Sequence, residues 1–231
     1  MDKVVFITGA SRGIGLATAK KFADNGWKVA GFYKNNSGPE VKNVTYYQMD
    51  VADGESIKKG FEQAFSEMGR VDCLVNCAGI LLDKRIQNYE VEDMEKIMRV
   101  NEVGVYLCTK KALEYMQEGV MVNVSSTAAQ AGSWDPIYAA TKGAVWSFSK
   151  SMALALAPRI RVNCVAPGIV DTDMGNFGWG PSELKKRVEA IPMGRMAKPE
   201  EIASGIYFLA SDEASHITGA CLDINGGYTQ R

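Results

Sequence analysis

Apolar and polar positions along the chain alternate between two rhythms. The run Val4-Val5-Phe6-Ile7-Thr8 is continuously apolar with β-branched members, and it breaks at Gly9-Ala10-Ser11-Arg12-Gly13-Ile14-Gly15 into small and apolar residues through Leu16, Ala17, Ala19 and Phe22. That pattern predicts strand, tight turn and helix. Gly26 closes the helix, Lys28–Tyr33 reads as a second strand, and the polar loop Lys34-Asn35-Asn36-Ser37-Gly38-Pro39 follows. Alternation over 44–49 predicts a third strand ending at Asp50-Val51, and Ile57, Phe61, Ala64, Phe65 and Met68 form one stripe of a helix over 53–68. A short buried strand over 73–75 runs into Asn76-Cys77-Ala78-Gly79. One long helix is predicted over 91–116, interrupted in character by Asn101 and Gly104. Strands over 120–124 and 161–166 flank a helix over 136–157; the first runs into Ser125-Ser126 and the second into Pro167-Gly168. The stretch 171–192 is rich in Gly, Met, Trp and Phe and holds an amphipathic piece at 182–190, before a helix over 198–210 and a last strand over 220–224.

Strands alternating with helices throughout predict an α/β fold: a parallel sheet of about seven strands with helices on both faces, as a single doubly wound domain over 1–231. In such sheets ligands bind beyond the carboxyl ends of the strands. The glycine turn 9–15, Tyr33-Lys34, Asp50, the turn 76–79, Ser125-Ser126 and Pro167-Gly168 all fall at such ends. Glycines let backbone N–H groups approach a ligand closely. The helix behind the first turn aims its positive dipole end and unsatisfied N–H groups at the same place, which favours a pyrophosphate.

Composition narrows the classes of function. A hydrophobic fraction of 46%, a charged fraction of 23% and a net charge of −1 over 231 residues fit an ordinary globular protein and give no support for nucleic-acid or anionic-membrane binding. No apolar run reaches membrane-spanning length, and Met1-Asp2-Lys3 enters a strand at once, so the expectation is a cytoplasmic protein with no signal peptide. The five cysteines, Cys73, Cys77, Cys108, Cys164 and Cys221, are expected to be buried free thiols in a reducing compartment. With His216 the only histidine and no metal-type cysteine spacing, neither a metal site nor a histidine-based triad is expected.

The chemistry centres on Tyr138-Ala139-Ala140-Thr141-Lys142. Tyrosine and lysine four apart share one face of a helix. A phenol titrates near 10 in water, and a nearby ammonium lowers that value, so such a tyrosine can pass a proton to or from a hydroxyl while a hydride moves elsewhere.

Thr8-Gly9-x-x-x-Gly13-Ile14-Gly15, Asn76-Cys77-Ala78-Gly79, Asn101, Asn123-Val124-Ser125-Ser126, Tyr138-x-x-x-Lys142 and Pro167-Gly168 occur in an order and at separations that resemble the short-chain dehydrogenase/reductase family over essentially the whole chain. The tail from Pro192-Met193-Gly194-Arg195 to Asn225-Gly226-Gly227 is similar to that of 3-oxoacyl-carrier-protein reductases and sugar dehydrogenases of the family. The resemblance implies a Rossmann-like fold and an NAD(P)(H)-dependent oxidoreductase working between a ketone and a secondary alcohol. A 3-oxoacyl-carrier-protein reductase is the leading reading. An aldose 1-dehydrogenase or other small polyol or ketone enzyme, and a catalytically silent dinucleotide binder, are the alternatives.

Residue by residue, the resemblance implies Tyr138 as general acid/base, Lys142 on the nicotinamide ribose, and Asn101 holding a water that links Lys142 to solvent. A serine would hold the substrate oxygen. Counting back about thirteen residues from the tyrosine selects Ser125, whereas alignment on the strand end selects Ser126; a shortened loop over 127–137 reconciles the two and Ser126 is preferred. Gly9, Ser11, Arg12, Gly13, Ile14 and Gly15 match the phosphate turn. Tyr33-Lys34 stands where a carboxylate would read a ribose 2′-OH, and Lys34 with Arg12 could face a 2′-phosphate, which favours NADP(H) with NAD(H) still possible. Asp50 and Val51 match the adenine contact, Asn76, Ala78 and Gly79 the turn behind the cofactor, and Pro167, Gly168, Ile169 and Thr172 the contacts to carboxamide and phosphate.

Substrate identity is expected in 81–89, 127–137 and a loop over about 171–195. Trp134, Met174, Phe177, Trp179 and Met193 could make a partly apolar pocket under a mobile lid, Gln130, Ser133 and Asp135 could serve a polyol, and Arg159 and Arg161 could face an acidic carrier protein. The long helices are apolar over wide faces, so symmetric pairing is expected, most often as a homotetramer in the family.

Overall fold

The computed structural model describes residues 2–230. Its seven strands are β1 (Val4–Thr8), β2 (Lys28–Tyr33), β3 (Val44–Gln48), β4 (Cys73–Asn76), β5 (Gly119–Val124), β6 (Ile160–Pro167) and β7 (Cys221–Ile224). They form one sheet in the order β3-β2-β1-β4-β5-β6-β7, parallel throughout. The order reverses direction between β1 and β4, and such a switch point opens a crevice at the carboxyl ends of the strands.

Alternation along each strand divides the core in two. Val4 and Phe6 of β1 face one side, with Phe32, Phe61, Met121 and Val162. Val5 and Ile7 face the other, with Val29, Val75, Ile202 and Ile206. The first layer is covered by α2 (Gly54–Met68), α4 (Gly104–Ala112) and α6 (Pro136–Leu156), and the second by α1 (Gly13–Asp24) and α8 (Pro199–Ala210). Two further helices, α5 (Ala128–Ala131) and α7 (Pro181–Glu189), flank the crevice; α5 falls in a stretch read from sequence as loop.

The predicted long helix is broken in three: α3 (Val91–Met98), a π turn over Arg99–Val103, and α4, which ends at Ala112. An inserted π turn widens the backbone, and here it carries Asn101 into the interior at 0% exposure. The other predicted bounds agree with the structure to within two residues, including the last strand and the helix at α7. Among the described residues no helix is long and apolar enough to cross a membrane.

Candidate active site

One cleft of about 1190 Å³ opens at the carboxyl ends of the strands. Its first wall is the glycine turn, where Gly9 (φ +68°) and Gly13 (φ +53°) adopt left-handed backbone. A Cβ on Gly15 would lie 2.1 Å from the carbonyl oxygen of Gly9, so the turn closes on itself only with glycine there. Ser11, Arg12, Ile14 and the three glycines line the cleft. The N-terminus of α1 opens onto it with no side-chain cap and no acid in its first turn, leaving N–H groups for an anionic ligand. These features fit a dinucleotide pyrophosphate.

Cys77, Ala78 and Gly79 form the next wall, pinned by the Thr8 hydroxyl, which accepts from the N–H groups of Cys77 (3.0 Å) and Ala78 (3.1 Å). The sequence places this threonine at the head of the glycine motif but assigns it no role. Asn76 does not face the cleft. It is 2% exposed and its Nδ2 donates to Asn123 Oδ1 at 2.8 Å, so strand alternation turns it into the core as a tie between β4 and β5. Pro167, Gly168, Ile169 and Thr172 line the opposite wall.

Tyr33, Lys34, Asp50 and Val51 surround the far end. The two cations expected to face a 2′-phosphate are each on a carboxylate: Lys34 Nζ sits 2.8 Å from Asp50 and Arg12 2.7 Å from Asp173. Burial alone would push the Asp50 carboxyl up, but Lys34 and the Ala52 N–H hold it below its ordinary value. The Arg12–Asp173 pair is largely exposed, and such a pair contributes at most about 1 kcal/mol, so an arriving phosphate can displace Asp173.

At the inner end, α6 presents Tyr138 and Lys142. Asp135 caps this helix, accepting from the Tyr138 N–H at 2.8 Å. Lys142 is 5% exposed; its Nζ donates to the Val124 carbonyl at 2.9 Å and lies 5.7 Å from the centre of the Tyr138 ring. Gly79 leaves room beside it, since a Cβ there would reach 3.4 Å from both Lys142 Nζ and Asn101 Oδ1. The Asn101 side chain is tied to the Ile80 backbone on both sides, accepting from its N–H at 2.8 Å and donating to its carbonyl at 2.9 Å, with Thr141 Oγ1 at 3.3 Å. Asn101 thereby joins the turn after β4 to the helix bearing Tyr138.

The two serines part company. Ser125 is 2% exposed and donates to the Lys142 carbonyl at 2.9 Å, a link inside the scaffold. The Ser126 hydroxyl lines the cleft beside Tyr138, close enough to favour its ionised form, and accepts from the Ala128 N–H at 3.1 Å.

The electrostatics differ from the expectation that Lys142 depresses the tyrosine. Burial pushes the Tyr138 phenol up to about 12, against the Ser126 hydroxyl, and Asp135 pushes the same way. Burial also brings Lys142 down to about 8. With Nζ held by Val124, desolvation outweighs ammonium–phenol attraction in this geometry. Cys77, the one half-buried cysteine and a cleft residue, has its thiol raised by burial to about 11; it is a packing thiol rather than a reactive one.

At the mouth, Trp134, Met174 and Trp179 line the cleft, while Phe177 and Met193 lie exposed outside it. Arg85 covers the Trp134 ring at 5.0 Å and Arg187 the Trp179 ring at 4.2 Å. Of the three polar candidates for a polyol, only Ser133 reaches the cleft. Gln130 is bound to Asp223 (2.6 Å) and Thr229 (3.0 Å), and Asp135 is enclosed as the cap. Arg161 donates to the carbonyls of Leu209, Ile217 and Ser211, and Arg159 precedes β6, so both sit at the amino end of the sheet, opposite the cleft. Basic residues missed from sequence line the cleft instead: Lys96 and Arg99, whose i,i+3 spacing puts them on one helix face, with Arg99 Nε donating to the Ala52 carbonyl at 2.9 Å beside Asp50 and Val51.

Sheet order and cleft together define a dinucleotide-binding oxidoreductase of the doubly wound class. A family model described as enoyl-(acyl carrier protein) reductase matches residues 9–229. The chain is 37% identical to the 3-oxoacyl-(acyl-carrier-protein) reductase FabG of Aquifex aeolicus (strain VF5), across 97% of this chain and 96% of that one. It superposes on ligand-free Thermoplasma acidophilum aldohexose dehydrogenase with a TM-score of 0.92 at 36% identity, covering 100% of this chain and 95% of the other. Against 3-ketoacyl-(acyl-carrier-protein) reductase from Brucella melitensis complexed with NADH, the TM-score is 0.91 at 34% identity, covering 99% and 98%. The chain belongs to the short-chain dehydrogenase/reductase family, and is an NAD(P)-dependent oxidoreductase acting between CH–OH and C=O.

Proposed function

We propose that this chain reduces the ketone of a substrate with an apolar chain, of the 3-oxoacyl thioester class, and does so with NADP(H) in preference to NAD(H). The observation that carries the reading is the convergence of Ser126, Tyr138 and Lys142 at the inner end of a cleft whose mouth is walled by Trp134, Met174 and Trp179. Nicotinamide, when bound, supplies or accepts the hydride. Ser126 holds the substrate oxygen, Tyr138 gives it the proton, and Lys142 holds the ribose, with Asn101 keeping the water that resupplies the proton. An aldose is the second reading, supported by the fold of the Thermoplasma aldohexose dehydrogenase. Against it, Gln130 and Asp135 are spent within the scaffold. The test is turnover of the purified chain on 3-oxoacyl thioesters with NADPH and on aldoses with NADP⁺. Thioester reduction is expected; aldose oxidation alone would reject the reading.

The serines separate in their variants. Ser126→Ala is expected to lower kcat by about a hundredfold or more with the fold intact. Ser125→Ala removes the second hydrogen bond to the Lys142 carbonyl, whose helical bond within α6 remains, and so lowers stability by about 1 kcal/mol while leaving most of the rate. Steady-state kinetics beside thermal melts reads both, and the reverse pattern would make Ser125 the substrate ligand.

Cofactor choice rests on Arg12 and Lys34. Arg12→Ala is expected to weaken NADPH binding by about tenfold and leave NADH nearly unchanged. Titration by nicotinamide fluorescence decides it; an equal loss for both cofactors would remove the 2′-phosphate role.

We also place the protein in the cytoplasm as a homotetramer. Val91, Met98 and Leu154, on α3 and α6, are 65%, 44% and 86% exposed in the isolated chain, which supports a helix-mediated interface.

A further inference from the structure

One part of the cleft wall belongs neither to the glycine turn nor to the helix of Tyr138, but to the tail after β7. Tyr228 lines the cleft and is 37% exposed, and its hydroxyl has no hydrogen-bond partner among the described residues. It stands past the last strand and belongs to neither of the two main core layers. Sheet order fixes which end of the cleft it occupies. Tyr33 ends β2 and Asp50 follows β3, at one edge of the sheet. β7 is the opposite edge, beyond β5 and β6, whose carboxyl ends lead into Ser126 and Gly168. Tyr228 is therefore on the Ser126 side of the cleft.

The tail is fixed there by bonds of its own. Gly226 (φ +63°) and Gly227 (φ +84°) are successive left-handed residues. A Cβ on Gly226 would lie 2.8 Å from Ile191 Cγ2 and one on Gly227 3.0 Å from Pro192 Cγ, so the turn presses on the end of the 171–195 loop. The Met193 N–H donates to the Gly226 carbonyl at 3.1 Å. Asn225, 8% exposed, ties the turn from inside: its Oδ1 accepts from the Gly227 N–H, and its Nδ2 donates to the carbonyl and hydroxyl oxygens of Thr229, all at 2.9 Å. The Thr229 hydroxyl donates to Gln130 Oε1 of α5 at 3.0 Å, and Gln130 Nε2 donates to Asp223 at 2.6 Å. Tyr228 is thus held from both neighbours, between α5 and the 171–195 loop. A phenol pinned in this way offers a ring and one free hydroxyl with little conformational freedom left to lose on binding.

We infer that Tyr228 is a substrate-binding residue whose hydroxyl takes a second oxygen of the substrate, beside the reacting one, and that Asn225, Thr229 and Gln130 are the residues that position it. In a 3-oxoacyl thioester that second oxygen is the thioester carbonyl; only its name rests on the 3-oxoacyl reading. A pocket that is largely apolar selects its ligand through a few fixed polar groups, and one that hydrogen-bonds a given oxygen discriminates against the analogue lacking it. Gln130 then serves the substrate through the tail, without touching it.

The test compares variants of the full chain by steady-state kinetics with NADPH, on a 3-oxoacyl thioester and on a monoketone of equal chain length that lacks the thioester carbonyl. Nicotinamide fluorescence and thermal melts accompany the kinetics. Tyr228→Phe is expected to raise KM for the thioester about fivefold, the loss of one hydrogen bond, while kcat, monoketone KM, NADPH affinity and melting stay within about twofold or unchanged. Tyr228→Ala removes the ring as well and is expected to raise KM for both ketones about tenfold. Gln130→Ala cuts the tie to α5 and gives part of the thioester effect, and Tyr228→Phe adds less to it than to the parent, because the two act as one unit. Unchanged KM in both Tyr228 variants overturns the inference. So does a loss of NADPH affinity as large as the rise in KM, which marks Tyr228 as cofactor wall. A parent chain that reduces no thioester refutes the 3-oxoacyl reading alone; the same variants are then compared on the ketone or aldose it does turn over, where an unchanged KM in Tyr228→Ala again overturns the inference.

Discussion

Tyr138→Phe is expected to cut ketone reduction by about a thousandfold while changing cofactor affinity by less than about twofold. The ring stays, so the packing of the cleft stays; what goes is the hydroxyl proposed as proton donor to the substrate oxygen. Positioned proton transfer contributes about 10² to 10⁴ in rate, and a buried phenol raised to about 12 is fully protonated at neutral pH, ready to act as acid. Lys142 adds a pH signature. Burial lowers it from 10.5 to about 8, so it is charged below about 8 and neutral above. The kcat/KM for reduction is therefore expected to be level on the acid side of about 8 and to fall above it, as the lysine loses the charge proposed to hold the ribose. Steady-state rates from pH 6 to 10 check both statements. A Tyr138→Phe enzyme retaining a tenth of its rate would move the proton donor to another residue.

Gly15→Ala is expected to abolish cofactor binding and to lower the melting temperature by about 5–10 °C, from an overpacking cost of about 2–3 kcal/mol. The added methyl would meet the Gly9 carbonyl oxygen at 2.1 Å and its carbon at 2.8 Å, both of them backbone, so no side chain can swing away. Relief requires opening the turn that aims the N-terminus of α1 at the cleft. Gly54→Ala, at the start of α2, is the control: its Cβ would meet nothing within 4 Å, and binding and melting should stay unchanged or improve. Thermal melts and nicotinamide fluorescence on the two variants read the contrast. Normal cofactor binding in Gly15→Ala would show that the turn does not cradle the phosphates.

Much of this molecule was legible before any coordinates. Element type followed from periodicity, because burial on both faces of a parallel strand and on one face of a helix leaves different apolar rhythms. The glycine turn and the Tyr138–Lys142 pair were legible for a similar reason: each is a local arrangement, set by spacing along one turn or one helix. The π turn was not, because it is an insertion of backbone that the side-chain pattern reports only as an irregularity at Asn101 and Gly104.

What only the tertiary structure decided is which polar group spends its hydrogen bonds where. Ser125 and Ser126 are neighbours in a strand end and alike in chemistry, yet alternation sends the first into the Lys142 carbonyl and leaves the second at the phenol. Asn76, Gln130 and Asp135 read as ligand groups and are bonded within the scaffold, while Arg161, read as a docking charge, is occupied by three carbonyls at the far end of the sheet. Lys34 and Arg12 found carboxylates up to 161 positions away. Pairing across such separations depends on how strands and loops stack in space, and no pattern along the chain encodes it. The sequence by itself determined the sheet, the glycine turn and the Tyr138–Lys142 pair; packing decided which of the remaining polar side chains face the cleft, because a buried polar group must find its partner wherever the fold has placed one.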